Sequence, residues 1–314
     1  MKKTIIRFVS MLTIPILLLL YFTFLKQGSD DPIGAQQLPW SPPKRIISFA
    51  PSVTEILYEL GMGENVLGVT QFCNYPPQAK EKDKIGGHVD YNYEAILRLK
   101  PDFAILLKER RDLIPFLDKH SIRYITVGSE SVDEIIASIR LISKACFISK
   151  RGDSLAQSLL SRMESASLYA DAERPKVLLS VSRDDIGSGA VAKVFAAGAL
   201  SFYNQLIEVA GGVNIMNDVR EPYPAIGAEA VIRLNPDIII DISSAYSKQP
   251  LGTACNDWRA LGSVAAVNTN GVRCLTGDYL TIPGPRFVLI AEEFRNIIAE
   301  YRIQGQDPDP DRDE

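Results

Sequence analysis

Apolar and polar positions alternate along this chain in two registers. Runs of four to eight apolar residues read as buried strands, and stretches with apolar residues three and four apart read as amphipathic helices. The first feature is of neither kind. Phe8–Leu25 carries no charge and follows Lys2, Lys3 and Arg7. At ~1.5 Å per residue it spans about 27 Å, close to one hydrocarbon core. This is the pattern of an export signal or a membrane anchor, and basic residues before it with Asp30 and Asp31 after it direct the rest of the chain out of the cytoplasm. No Ala-x-Ala follows, and no cysteine lies near residues 20–30 to accept a lipid. Residues 1–28 are therefore expected to be a signal or membrane anchor, with cleavage left open and an uncleaved anchor as the preferred reading. Residues 29–43, rich in Pro, Gly and Gln, are expected to be a tether.

Beyond the tether the chain repeats itself. Glu94–Asp102 reads EAILRLKPD and Glu229–Asp237 reads EAVIRLNPD, and each copy runs into an apolar stretch, Phe103–Leu107 and Ile238–Ile242. The pattern predicts a short amphipathic helix halted near its proline and then a buried strand. Upstream, Arg45-Ile-Ile-Ser48 corresponds to Lys176–Ser180. Leu60–Gly63 with Asn65 corresponds to Ala210–Gly212 with Asn214. Two copies of one α/β unit follow, about residues 44–128 and 175–302.

Residues 129–174 lie between them. Ser131–Glu173 lacks proline and holds one glycine, Gly152, with apolar Ile135, Ile139, Ile142, Leu155 and Leu159 at helical spacing. One long linking helix is expected, with an interruption allowed near Gly152. About 25 helical residues would span ~37 Å, enough to brace two lobes. The fold class is thus α/β, with two Rossmann-like lobes joined by one long backbone helix and a ligand cleft between them, where inter-domain sites form. Residues 303–314, ending QDPDPDRDE, are expected to be a disordered acidic tail.

Composition narrows the function. A net charge of −4 gives no basic excess for nucleic acid. Four cysteines without a CxxC exclude a disulfide scaffold and a zinc knuckle, and two histidines exclude a multi-histidine metal site. The chain has no GxGxxG after a strand, no GxxxxGK[ST] and no GxSxG. Gly187-Ser-Gly189 reads as a turn, and Asp184 and Asp185 as solvated residues. The expectation is no catalysis, no catalytic residue and no resident metal or cofactor.

Several segments resemble one family. RIISFAPSVTEILYELG (45–61), VLGVTQFCNYPPQAK (66–80), IGGHVDYNYEAILRLKPD (85–102), LIEVAGGVNI (206–215) and PGPR (283–286) are similar to the helical-backbone, class III substrate-binding proteins of bacterial ABC importers. The nearest likeness is to the vitamin B12-binding branch, whose relatives bind haem and ferric siderophores. The resemblance spans about residues 44–302. It implies an extracytoplasmic protein that captures a corrinoid and delivers it to a permease dimer with its ATPase subunits. It also implies that Glu94 and Glu229, one per lobe, dock on permease arginines. Ligand contacts carried over by position are Phe72, His88, Leu107, Phe195, Tyr223 and Arg286. Where B12 binders tend to have tryptophan, this chain has His88 and Leu107.

Alternatives stay open at this point. His88 is either an axial ligand to cobalt or iron or an ordinary hydrogen-bonding residue, and Arg286 either a ligand contact or a structural ion-pair partner. Tyr91, Tyr93, Tyr203 and Tyr279 are further contacts or core. Cys255 and Cys274 either pair or remain free thiols, and Trp258 reads as a loop anchor. Haem or a ferric siderophore is the alternative ligand; a sensor module or an enzyme of a related fold is the alternative class.

Overall fold

The computed structural model describes residues 38–87, 89–165, 174–242 and 250–306. The expected anchor and most of the tether lie outside these residues. Among the described residues no helix is long and apolar enough to cross a membrane.

The first lobe is a parallel sheet in the order β3-β2-β1-β4-β5. Its strands are β1 (Ile46–Ser48), β2 (Val66–Val69), β3 (Asp83–Lys84), β4 (Phe103–Leu107) and β5 (Arg123–Val127). Helices α1 (Pro51–Glu59), α2 (Tyr93–Arg98) and α3 (Ile114–Lys119) return the chain between strands. β4 is buried on both faces, as its unbroken apolar run requires.

The second lobe is built on the order β11-β10-β6-β7-β9, with β8 also paired to β6. Its strands are β6 (Lys176–Arg183), β7 (Lys193–Ala196), β8 (Val213–Asn214), β9 (Ala225–Gly227), β10 (Ile238–Asp241) and β11 (Val272–Cys274). β7 pairs antiparallel with β6 and with β9, and this hairpin has no counterpart in the first lobe.

The internal repeat is real in three dimensions. β1 pairs parallel with β4, Ile46 opposite Phe103, as β6 pairs with β10, Val177 opposite Ile238. The repeated aspartates do the same work in both lobes. Asp102 accepts from the backbone N–H groups of Lys44 (2.9 Å) and Arg45 (3.0 Å), and Asp237 accepts from that of Lys176 (2.7 Å). Each pins the start of its lobe's first strand.

The linking segment departs from the expectation of a single long helix. It is a pair, α4 (Val132–Ala145) and α5 (Ser149–Ser165). Ser131 caps α4, its hydroxyl accepting from Glu134 N–H. The helix ends where Phe147 turns left-handed at φ 61°, with Phe147 N–H bonding to Lys144 O and Ile148 N–H to Ser143 O. That bond pair is a Schellman ending, which usually carries glycine at the left-handed position. Here phenylalanine stands there, so the stop is invisible as a glycine signal. Gly152 has another role, since a Cβ there would sit 1.9 Å from Ser143 Oγ. The missing side chain lets the two helices pack closely.

α6 (Phe202–Val209), α7 (Ala228–Leu234), α8 (Leu251–Asn256), α9 (Ala265–Asn268) and α10 (Phe287–Gln306) complete the second lobe. α10 runs through Gln306, so residues 303–306 are helical and the expected tail begins later than residue 303. One apolar core joins both lobes through the paired helices, holding Ile46 and Val53 with Ile139, Leu159, Val177 and Phe294. Burying a side chain such as Ile139 contributes about 1.5–3 kcal/mol.

Candidate functional site: the cleft between the lobes

Parallel strands deliver the loops at their carboxyl ends to one edge of each sheet, and ligands of open α/β sheets bind there. In the first lobe that edge carries Phe72 and Tyr75 after β2, the loop that follows Ile85, and Leu107–Arg110 after β4. In the second it carries Tyr279, Arg286 and the turn at Asp278–Thr281.

Two sets of contacts hold the lobes face to face. On one side Arg286 reaches across to α1, where Glu55 Oε1 accepts at 2.5 Å and Oε2 at 3.0 Å. The same guanidinium donates to Asp278 Oδ1 at 2.9 Å within its own lobe and stacks 4.0 Å from the ring centre of Tyr75. Burial raises the Glu55 pKa even against the Arg286 charge. Hydrogen bonding from Arg286 holds Asp278 below its ordinary value. On the other side Val132 N–H donates to Gln205 Oε1 at 2.9 Å. Burial, and then the charge of Glu130 across the gap, raises the Tyr223 pKa.

Three cations of the cleft, Lys108, Arg110 and Arg286, are paired internally. Lys108 pairs with Glu134 at 2.6 Å and Glu130 at 2.9 Å, Arg110 with Asp112 at 3.2 Å, and Arg286 with Glu55 and Asp278. Burial alone would lower the Lys108 pKa, but the two glutamates raise it. Glu109 beside it is pushed up by burial. These three cations are all committed to carboxylates.

The expected contacts divide. Phe72 and Tyr223, one on each lobe, are 49% and 44% exposed. Leu107 is half-buried against the core. Phe195 lies half-buried on β7 with Lys193 Nζ 4.6 Å from its ring centre. His88 lies outside the described residues. Arg286 is engaged by Glu55 and Asp278, so it serves as an ion-pair bridge in this structure. Tyr203 is core, its hydroxyl donating to Leu280 O at 2.5 Å. Tyr91 packs edge-on to Phe49, and Tyr279 is tied to Glu293; burial, and then this bond, raises its phenol to about 12. Tyr93 of α2 lies against Phe116 of α3 with the two rings tilted, 4.5 Å between centres. Reading the sequence did not find Glu55, Tyr75 or Lys108. Glu55 carried a signal, as an acid on the apolar face of PSVTEILYE.

Glu94 and Glu229 each occupy the first turn of a short helix, where the helix dipole favours an acid. Both are exposed, and neither has an ion-pair partner among the described residues.

Deeper in the second lobe, Arg183 is fully buried between Asp241 (2.8 Å) and Asp257 (2.7 Å). Trp258 donates to Asp241, as a loop anchor should, and Gly187 and Gly189 donate to Asp257. Asp184 and Asp185 are exposed, as expected. Cys255 and Cys274 form a disulfide that ties α8 to β11.

Two α/β lobes joined by a helical connection, with aromatic residues at the carboxyl edges of their sheets, have the architecture of a two-lobed binding protein. The chain belongs to the periplasmic binding protein family, whose family model matches residues 46–276. It is 29% identical over 265 residues to the uncharacterized ABC transporter substrate-binding lipoprotein YvrC of Bacillus subtilis, covering 82% of this chain and 80% of that one. It is 27% identical over 263 residues to the vitamin B12-binding protein of Pectobacterium atrosepticum, covering 83% and 90%. The crystal structure of the periplasmic vitamin B12 binding protein BtuF of Vibrio cholerae superposes with a TM-score of 0.69 at 27% identity, covering 83% and 98%. The protein is therefore the extracytoplasmic substrate-binding component of an ABC transporter and not an enzyme.

Proposed function

We propose that the cleft takes a corrinoid, cobalamin or cobinamide, and that the protein hands it to an ABC permease with its ATPase subunits. One observation carries this choice of ligand: Lys108, Arg110 and Arg286 are already paired with carboxylates. A ligand bearing several carboxylates, such as haem or many ferric siderophores, needs free cations to offset its desolvation. A corrin ring fringed with neutral amides needs flat apolar contact, for which Phe72 and Tyr223 are available on opposite lobes, and hydrogen bonds, of which the Tyr223 hydroxyl can make one. Phe195, Arg286 and His88 complete the proposed contacts, as the family resemblance implies, His88 with the option of axial ligation. Two of the relatives described above, from Pectobacterium atrosepticum and Vibrio cholerae, are vitamin B12-binding proteins, which supports this reading.

The N-terminal segment serves as an uncleaved anchor to the inner membrane. Glu94 and Glu229, free charges on matched helices of the two lobes, set the register of docking on a two-fold permease.

Titrating the full chain in detergent micelles with cyanocobalamin, cobinamide and haem tests the ligand. We expect saturable one-to-one corrinoid binding with haem weak, and Phe72→Ala or Tyr223→Ala weakening it about tenfold or more. A shifted Soret band without corrinoid heat overturns the corrinoid reading in favour of haem. For docking, Glu94→Ala with Glu229→Ala should abolish uptake and leave affinity unchanged. Uptake that survives the double change removes the docking role.

A further inference from the structure

The strands of the first sheet begin at its amino edge, opposite the cleft, and the chain crosses that edge on its way into β1. There Trp40 is 86% exposed. It is held by a stacked cation and not by packing: the Arg123 guanidinium lies 3.7 Å from its ring centre and also donates to Leu38 O at 3.1 Å. α4 ends at the same edge, where the left-handed turn at Phe147 (φ 61°) presents a ring that is 53% exposed. Pro39 adjoins both, lining one hollow with Trp40 and Arg123 and another with Phe147 and Ile148. Two large aromatic side chains are thus exposed on one continuous surface.

Cations surround them. Lys144, Lys150 and Arg151 flank Phe147, and Lys44 and Lys100 stand just ahead of β1 and β4. All five are exposed, and none has a carboxylate partner among the described residues. Of the acids at this edge, Glu59 and Glu64 follow one another at the end of α1, and Asp102 is taken up by the N–H groups of Lys44 and Arg45. The chain as a whole carries −4, yet this edge has a basic excess. The cations of the cleft are paired, and these are not.

Exposed Trp and Phe among unpaired Lys and Arg make a surface suited to a membrane interface, where rings enter the headgroup layer and cations meet anionic lipid. We propose that the amino edge of the first lobe rests on a bilayer surface bearing acidic headgroups, with Trp40 and Phe147 in the interface. Trp40 stands clear of the protein, a shape that suits a soft headgroup layer better than a rigid partner. The contact needs nothing from residues 1–37, so it holds whether the N-terminal segment is retained or cleaved. Glu94 and Glu229 lie in the first turns of helices that start at the carboxyl edges. A molecule resting on its amino edge therefore turns its cleft away from the bilayer, and on the docking reading above it must let go before it meets a permease.

Trp40 reports the contact directly, because the chain's other tryptophan, Trp258, is fully buried. The full chain is incorporated into vesicles of phosphatidylcholine, alone or with about one phosphatidylglycerol in three lipids, some of the phosphatidylcholine carrying bromine high on its acyl chains. In the acidic vesicles Trp40 emission should shift to the blue and be quenched at least about twofold more than in the neutral ones. Salt at about 1 M, which shortens screening to ~3 Å, should remove the difference. Lys144→Glu with Lys150→Glu should remove it too, with the far-UV circular dichroism unchanged. Trp40→Phe with Phe147→Trp moves the probe to a site far in sequence from the N-terminal segment, and it should be quenched in the same lipid-dependent way. Equal Trp40 quenching in both vesicles assigns it to the nearby N-terminal segment and overturns the inference, as does a probe at position 147 that stays unquenched. A blue shift without quenching by brominated lipid overturns it as well, by giving the surface to a protein partner.

Discussion

Asp257 shows how much one buried carboxylate can organise. It is 1% exposed and accepts from Arg183 at 2.7 Å, from Gly187 N–H at 2.6 Å and from Gly189 N–H at 2.7 Å. Burial by itself would raise its pKa, but these donors outweigh burial and lower it. The unfolded chain therefore takes up this proton more readily, and stability rises with pH through the acid range. The contribution is complete above the ordinary aspartate value and is lost as pH falls through the lowered folded value. Asp257→Asn leaves Arg183 with one counter-charge in a dry site and should cost about 3–5 kcal/mol at neutral pH. Thermal unfolding of both proteins from pH 3 to 7 measures this, and the variant should show a flatter acid slope. An unchanged melting temperature would mean that Asp241 alone satisfies Arg183. None of this was legible in the sequence. Asp257 and Asp241 stand 74 and 58 residues from Arg183, and nothing local marks them as partners. Trp258 as a loop anchor was legible, because a lone tryptophan among polar residues has few other uses.

Among the elements, the repeated units were the most legible part of the chain. A helix halted near a proline and followed by a strand without charges leaves little choice, and both copies folded as the pattern predicts. The linking segment was not, because its stop is written in phenylalanine. A non-glycine residue at φ 61° costs about 1 kcal/mol and leaves no signature in a helical pattern. Gly152, which looked like the point of interruption, lies inside α5, where it meets Ser143 of α4. A methyl group at residue 152 would overlap both Ser143 Oγ (1.9 Å) and Ser143 Cβ (2.4 Å). Gly152→Ala should therefore destabilise the protein by about 1–3 kcal/mol despite alanine's better helix propensity. Adding Ser143→Gly removes the obstruction and should recover part of that loss in a denaturant titration. If Gly152→Ala is instead stabilising, the helices have room to part and the close approach is not a constraint.

At the scale of the whole molecule, the two lobes are joined by apolar packing through α4 and α5, by the Val132–Gln205 hydrogen bond and, at the cleft, by the Glu55–Arg286 ion pair. Glu55 is 1% exposed in the first lobe, and the Arg286 side chain, 11% exposed, comes from the second. The existence of a cleft was legible from the repeat, and Arg286 from its motif, but the partner 231 residues away was not. This bond has two separable effects. Removing Arg286 alone strands a buried carboxylate, so Arg286→Ala should cost about 3–5 kcal/mol. Removing Glu55 alone leaves Arg286 with Asp278 and a path to water, so Glu55→Ala should cost less. The double variant should then fall short of the sum by about 0.5–3 kcal/mol, the coupling between residues in contact. pH separates the second effect. Burial raises the Glu55 pKa, so the folded chain binds this proton more readily than the unfolded one, and Glu55's own contribution to stability falls as pH rises through the raised value. Mild acid therefore does not unfold the protein through Glu55. It removes the charge that holds Arg286 across the cleft, while Asp278, its pKa lowered by Arg286, keeps the guanidinium on its own lobe. Spin labels on the two lobes should report a broader distance distribution as pH drops through the titration of Glu55, with the melting temperature not falling on account of that group. Glu55→Gln should show the broader distribution at every pH. A distribution that stays narrow and independent of pH in both proteins would assign the lobe spacing to α4 and α5 alone.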